Sequence, residues 1–136
     1  MDRISHDRRS ALMSRIRSKD TKPELVVRRL LHGLGYRYLL HDRRLPGTPD
    51  LVFPSRKKVV MVHGCFWHGH SCPRGFRPSS NVAFWAKKID GNKRRDQKHL
   101  CSLQALGWDV LVVWECDTHP AKLDQLRHQL ESFLNA

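Results

Sequence analysis

PDLVFPSRKKVVMVHGCFWHGHSC, residues 49–72, decides the fold and carries most of the chemistry of this chain. Asp50–Phe53 and Lys58–Val62 are short β-forming runs, and Pro54–Lys57 between them consists of turn formers, so the stretch reads as a hairpin. A carboxylate, Asp50, stands at its entry. At its exit come His63, Cys65, Phe66, Trp67, His68, His70 and Cys72 in close succession. A packed core needs no such mixture. A site that holds a metal, a phosphate and an opened base stack does.

Outward from the hairpin the elements follow from capping and periodicity. Thr21-Lys22-Pro23-Glu24 is a capping box with proline near the first helical position. It opens a helix with Leu25, Leu30, Leu31 and Leu34 inward and Gly35 as its stop. Tyr36–Leu40 reads as a strand, and Leu45–Pro49 as a turn-rich approach to Asp50. Residues 63–80 lack helical period. A helix follows from Asn81 to Leu106, with a break expected near Gly91, and its middle, Lys87 to Lys98, is too basic to face a core. Trp108–Trp114 reads as a buried central strand, apolar on both faces. Leu123, Leu126, Leu130 and Phe133 stripe the last helix, and residues 1–20 form a basic N-terminal helix or arm. The expected class is α/β, a small mixed sheet flanked by helices in a single domain over residues 1–136.

Charge narrows the partner. The chain has 136 residues, 25 Lys and Arg against 13 Asp and Glu, and a net charge of +12. Residues 1–108 hold 23 of the basic and 8 of the acidic side chains, whereas residues 109–136 hold 2 and 5. A front so basic points to a polyanion such as DNA. Val59–Val62 and Val110–Trp114 are the longest apolar runs and are strand-sized, so no membrane partner is expected. MDRISHDRR lacks the apolar run of a secretion signal, which implies a cytoplasmic chain with reduced thiols.

Reduced, clustered cysteines favour metal. Cys65, His70 and Cys72 give the spacing C-x4-H-x-C, and Cys116 arrives at the end of a strand. Three thiolates and an imidazole suit a closed tetrahedral zinc site that organises a loop without its own core. Cys101 competes for the fourth position, but among Leu100, Leu103 and Leu106 it reads as a small buried apolar group.

Asp50 and the Val62 carbonyl can meet across the hairpin and bind a hard cation such as magnesium. His63 and His68 bracket the same region and can position or deprotonate a water, with Glu24 supporting from the capped helix. Each residue also has a bland explanation: a turn aspartate, a capping glutamate, a hydrogen-bonded structural histidine. Their concurrence beside a metal loop in a basic chain favours chemistry. Phe66, Trp67 and Trp85, with Met13 on the N-terminal helix, suit stacking on or wedging between bases, the alternative being ordinary packing.

Five stretches now resemble one family, the bacterial very-short-patch-repair endonucleases, which are related in fold to type II restriction endonucleases. They are MSRIRSKDTKPE (13–24), LPGTPDLV (45–52), HGCFWHGHSC (63–72), FWAKKIDGNKRRD (84–96) and LGWDVLVVWEC (106–116), in the family's order. The resemblance implies a restriction-endonuclease-like fold with a structural zinc loop. It implies Asp50 and the Val62 backbone carbonyl as Mg2+ ligands, His68 and His63 as catalytic histidines, and Glu24 as a supporting acid. It assigns Zn2+ to Cys65, His70, Cys72 and Cys116. It makes Phe66, Trp67 and Trp85 an aromatic wedge, with Met13 entering from the N-terminal helix and Lys88 and Asn92 contacting mismatched bases. Val62 stands where threonine is familiar, Gly-His-Ser follows His68 in place of a denser histidine run, and Met61-Val62-His63 replaces the acidic-x-lysine half of the restriction signature.

The implied activity is nicking of one strand of double-stranded DNA 5′ to the T of a T:G mismatch left by deaminated 5-methylcytosine. A monomer that hands the nick to downstream repair proteins is expected. Two alternatives stay open: a restriction-like or mobile-element endonuclease indifferent to mismatches, and a non-catalytic zinc-stabilised DNA-binding protein.

Overall fold

The computed structural model describes residues 20–136; the expected N-terminal helix or arm, Met13 included, lies outside the described residues. Helix α1 (Lys22–Gly33) starts at Thr21, whose Oγ1 accepts a hydrogen bond from the Glu24 N–H at 3.4 Å. Four strands follow: β1 (Leu39–Leu40), β2 (Leu51–Phe53), β3 (Lys58–His63) and, after helix α2 (Val82–Ala105), β4 (Asp109–Trp114). Helix α3 (Leu123–Asn135) closes the described chain.

The sheet has the order β1-β2-β3-β4, antiparallel except for the parallel pair β3–β4. The hairpin forms as its composition predicts, with Leu51 opposite Val60 and Phe53 opposite Lys58. Alternation then sorts side chains between two faces. Leu51, Phe53, Val60 and Val113 meet Val27 and Leu31 of α1 and Leu126, Leu130 and Leu134 of α3. Val52, Val59 and Met61 meet Leu103 of α2 on the opposite face. Truncating one of these fully buried leucines to alanine costs about 2–5 kcal/mol.

Three expectations change. The strand over 36–40 shrinks to Leu39–Leu40, because Tyr36 and Tyr38 turn their rings onto Phe53 at 6.5 and 6.0 Å. Helix α2 runs unbroken through Gly91, since an interior glycine costs only about 0.5–1 kcal/mol and 24 residues of helix absorb it. Strand β4 lies at the sheet edge, not the centre. Its run of apolar residues reflects helices over both faces, which does not require strands on both sides.

At the far edge of the hairpin, Arg56 donates to the Leu134 carbonyl and Lys58 Nζ to the Ala136 carbonyl, both at 2.8 Å. These cations meet the free carbonyls of the α3 terminus, where the helix dipole favours positive charge. The hairpin and last helix are thereby fixed together, and the opposite end of β3 is left to carry the functional residues.

Candidate active site and thiol–imidazole cluster

Beyond His63 the chain folds back on itself. The His70 N–H donates to the Cys65 carbonyl at 2.9 Å, and the Gly75 N–H to that of Cys72 at 2.9 Å. Gly69 has φ +62, and a Cβ there would meet Ile89 of α2 at 2.8 Å, so only glycine lets the loop lie on the helix. From the other side, a short turn at Glu115–Thr118 directs Cys116 inward, and its N–H reaches Cys65 Sγ at 3.4 Å.

Cys65, His70, Cys72 and Cys116 thus each place a ligand atom within 4.8 Å of the others. A tetrahedral zinc with bonds of roughly 2.3 Å to sulfur and 2.0–2.1 Å to nitrogen sets an S···N edge of about 3.6 Å. Cys116 Sγ and His70 Nδ1 stand 3.6 Å apart. The donor set fits. Burial pushes the Cys65 thiol up to about 12 and also raises Cys116. At Cys72 burial is outweighed by hydrogen bonds from His70, Cys65, the Arg74 N–H and Cys116, which bring it down to about 6. Cys101 is exposed on α2, contrary to its expected burial, because the helix turns Leu103 inward instead.

Asp50 sits just before β2. Its Oδ2 accepts the Val62 N–H at 2.7 Å, so the hairpin pairing does bring Asp50 to Val62, here through the amide N–H. Burial raises the Asp50 carboxyl to about 7; the Val62 N–H opposes this, while the charge of Glu24 and a shared hydrogen bond with it add to the rise. Glu24 is therefore more than a cap. Its carboxylate, only 2% exposed, turns from Thr21 to His41 Nε2 at 2.9 Å and Arg28 Nη1 at 3.3 Å.

The two candidate histidines stack, ring centroids 3.9 Å apart and 5° from parallel. His68 Nδ1 meets Asp96 Oδ2 of α2 at 2.5 Å. A carboxylate there fixes the tautomer, with Nδ1 carrying the proton and Nε2 left as the free acceptor. Burial, then the charge of His68, lowers His63 to about 4, so it stays neutral around pH 7. Trp114, opposite His63 in the β3–β4 register, stacks on His70 at 4.1 Å and meets His63 edge-on at 5.3 Å. One indole separates the thiol cluster from the histidine pair.

Asp50, Val62, His63, His68 and Asp96 all line a single open cavity of about 670 Å³. Arg43, Arg95 and His99 add cationic or protonatable groups to its walls. The approach loop is held tightly here: Gly47 has φ +76, and a Cβ would meet the His99 ring at 2.9 Å. Beside the cavity Phe66, Trp67 and Trp85 form one cluster, with centroids 5.2 to 6.0 Å apart. Exposed Phe76 and Phe84 extend it. Asn92 also lines the cavity and donates to the Trp67 carbonyl at 2.8 Å, tying α2 to the aromatic loop. Lys88 is partly buried on α2, among the basic residues.

Asp96, His41 and Arg28 are the partners that sequence reading missed. A signal existed for Asp96, a lone acid within the basic run 93–98. His41 and Arg28 carried none.

Several relatives match this chain along most of its length. The type II nicking enzyme V.XorIIP of Xanthomonas oryzae pv. oryzae is 51% identical over 134 residues, 98% of this chain and 97% of the relative. The type II nicking enzyme V.NmeAIP of Neisseria meningitidis serogroup A is 47% identical, covering 85% of this chain and 83% of its own length. The DNA mismatch endonuclease Vsr of Escherichia coli K12 is 42% identical over 82% of this chain and 72% of its own. With residues 1–74 also matching the family model itself, the chain belongs to the DNA mismatch endonuclease Vsr family.

Proposed function

We propose that this protein is a magnesium-dependent endonuclease that nicks one DNA strand 5′ to the T of a T:G mismatch. The observation that carries this reading is the meeting of Asp50 and the His68–Asp96 pair at one cationic cavity. A fixed carboxylate, an oriented imidazole and arginines around an open volume suit phosphodiester hydrolysis. They suit neither a closed structural site nor a binding groove.

Asp50, with the Val62 backbone carbonyl, would hold Mg2+, which supplies charge to the scissile phosphate and to the departing 3′ oxygen. The buried Asp50 carboxyl, with the charge of Glu24 acting on it, would suit that ion, because a cation offsets the repulsion between neighbouring acids. His68 Nε2 takes a proton from the attacking water, and Asp96 stabilises the imidazolium that results. Water adds to phosphorus, the P–O3′ bond breaks, the departing oxygen takes a proton from solvent water, and the products are a 3′-hydroxyl and a 5′-phosphate. Neutral His63, stacked on His68, keeps that ring in plane and avoids a second positive charge. Arg43 and Arg95 hold phosphates at the cavity mouth.

Cys65, His70, Cys72 and Cys116 would hold Zn2+ with no open position, so zinc there supports the loop and takes no part in hydrolysis. The restriction-endonuclease-like description fits the mixed sheet with its site at one end of the hairpin. Phe66, Trp67 and Trp85 enter the base stack, and a wobble pair opens more readily than a matched one. Lys88 and Asn92 face the opened bases. Met13 is their partner from the N-terminal segment. The protein works as a cytoplasmic monomer on chromosomal DNA, and repair proteins consume the nick.

The test is cleavage of end-labelled duplexes, matched or with one T:G pair in varied contexts, with and without Mg2+. Magnesium-dependent cutting confined to the T-containing strand of T:G duplexes supports the reading. Equal cutting of matched DNA would replace it with a nuclease indifferent to mismatches. Binding without cutting in any condition would leave only a DNA-binding protein.

A further inference from the structure

We propose that His41 is a positioning residue that holds Glu24 against Asp50 and thereby shapes the divalent-cation site. The inference rests on the reading that Asp50 binds the cation, and it concerns a residue outside that reading.

His41 is tied to the site twice. Its backbone N–H donates to the Asp50 carbonyl at 3.1 Å, and its ring Nε2 meets Glu24 Oε2 at 2.9 Å. An ionised carboxylate offers only acceptors, so Nε2 is the donor. The residue also adopts a left-handed backbone, φ 49, which is uncommon outside glycine and persists where surrounding contacts demand it. Here the demand is visible: the turn delivers the ring to Glu24 just where the chain enters the cavity wall.

Glu24, His41 and Asp20 bring their ligand atoms within 4.8 Å of one another, which raises a second reading as a cation site of its own. Arg28 argues against it. Its Nη1 lies 2.8 Å from Asp20 Oδ1 and 3.3 Å from Glu24 Oε2, so a guanidinium already stands between the two carboxylates. The group is an anchored acid. Arg28 and His41 fix Glu24 Oε2 from two sides, and the carboxylate so fixed is the one whose charge acts on Asp50. Groups behind a metal ligand orient it and commonly set affinity over about 10- to 100-fold.

Two substitutions separate the ring from the backbone. Asparagine tolerates the left-handed conformation but is too short to reach Glu24. Glutamine places an N–H donor close to the position of Nε2. Mn2+ binding to the DNA-free protein, read from the EPR signal of free Mn2+, should weaken about tenfold in His41→Asn and return to within about threefold of the parent in His41→Gln. Half-saturation of nicking by Mg2+ should shift in parallel while kcat at saturating Mg2+ changes little.

Parental Mn2+ affinity in His41→Asn, or equal weakening in both variants, overturns the proposal. Asp50→Asn, run alongside, keeps the two readings apart. If it binds Mn2+ as the parent does, the assignment of Asp50 fails; if it loses Mn2+ while His41→Asn does not, only the role of His41 fails.

Discussion

Two constellations hang from the same end of β3, and they are built on opposite rules. Cys65, His70, Cys72 and Cys116 converge on one point, each ligand atom within 4.8 Å of the rest, and leave nothing for a substrate. Asp50, His63, His68 and Asp96 instead line the walls of a cavity of about 670 Å³ and leave its middle open. With a metal bound, the first would stand in for a hydrophobic core under its loop. The second fixes its polar groups, His68 on Asp96 and Asp50 on the Val62 N–H, around an open middle, the condition for acting on something that enters. Their members interleave along the chain: 63 and 68 go to the cavity, 65 and 70 to the cluster. Trp114 forms their shared wall, stacked on His70 and edge-on to His63. Damage should therefore pass from the closed cluster to the open cavity, and not in the other direction.

Asp50→Asn is the sharpest test of that asymmetry. It should reduce nicking at least about 1,000-fold, the loss expected when several kcal/mol of metal-borne stabilisation disappears. DNA affinity by mobility shift and thiol-cluster metal content by elemental analysis should match the parent. Residual nicking near the parental rate would remove Asp50 from the chemistry. Cys72→Ser tests the other side: the melting temperature by circular dichroism should fall by roughly 10 °C, and nicking should fall with it. A variant that melts and nicks like the parent would show that the cluster supports nothing.

Asp96→Asn keeps the shape at His68 but removes the anionic acceptor at Nδ1. A decrease in kcat of roughly 10- to 100-fold is expected, with KM nearly unchanged. A selective rise in KM would instead make Asp96 a DNA-positioning group.

Smaller effects lie in the pH dependence of stability, and the cavity predicts two of opposite sign. His63 titrates near 4 when folded, against 6.5 for the free side chain, so acidification from 6.5 toward 4 favours the unfolded chain. Replacing it with glutamine should flatten that acid limb. Asp50 titrates near 7 when folded, against 3.8, so its stabilising contribution is complete below 3.8 and is lost as pH rises through 7. Metal-free Asp50→Asn should accordingly melt above the parent at pH 8, with a smaller advantage at pH 5. Thermal melts across pH 5–8 decide both signs, and a parent-like slope in either variant refutes that assignment.

Much of this was legible before any coordinates. The hairpin follows from two β-rich runs around Pro54–Lys57, and the thiol set from C-x4-H-x-C plus a cysteine at a strand end. What failed did so for identifiable reasons. Helical phase, invisible without knowing which face α2 buries, put Leu103 inside and Cys101 outside. An apolar run covered by helices looks the same in a central strand and an edge strand, so β4 was misplaced. Glu24 reads as a supporting acid beside Asp50, but the partners that hold it, His41 and Arg28, left no trace in the sequence.

The residues by themselves settled the inventory: which donors exist, which runs extend, where turns fall, and that the partner is a polyanion. These depend on interactions over a few positions or on total charge. Tertiary structure alone gave His68 its acid, across 28 residues to Asp96, and set Trp114 between His63 and His70. Those choices depend on how β3 pairs with β4 and how α2 lies over the sheet, which no local preference encodes.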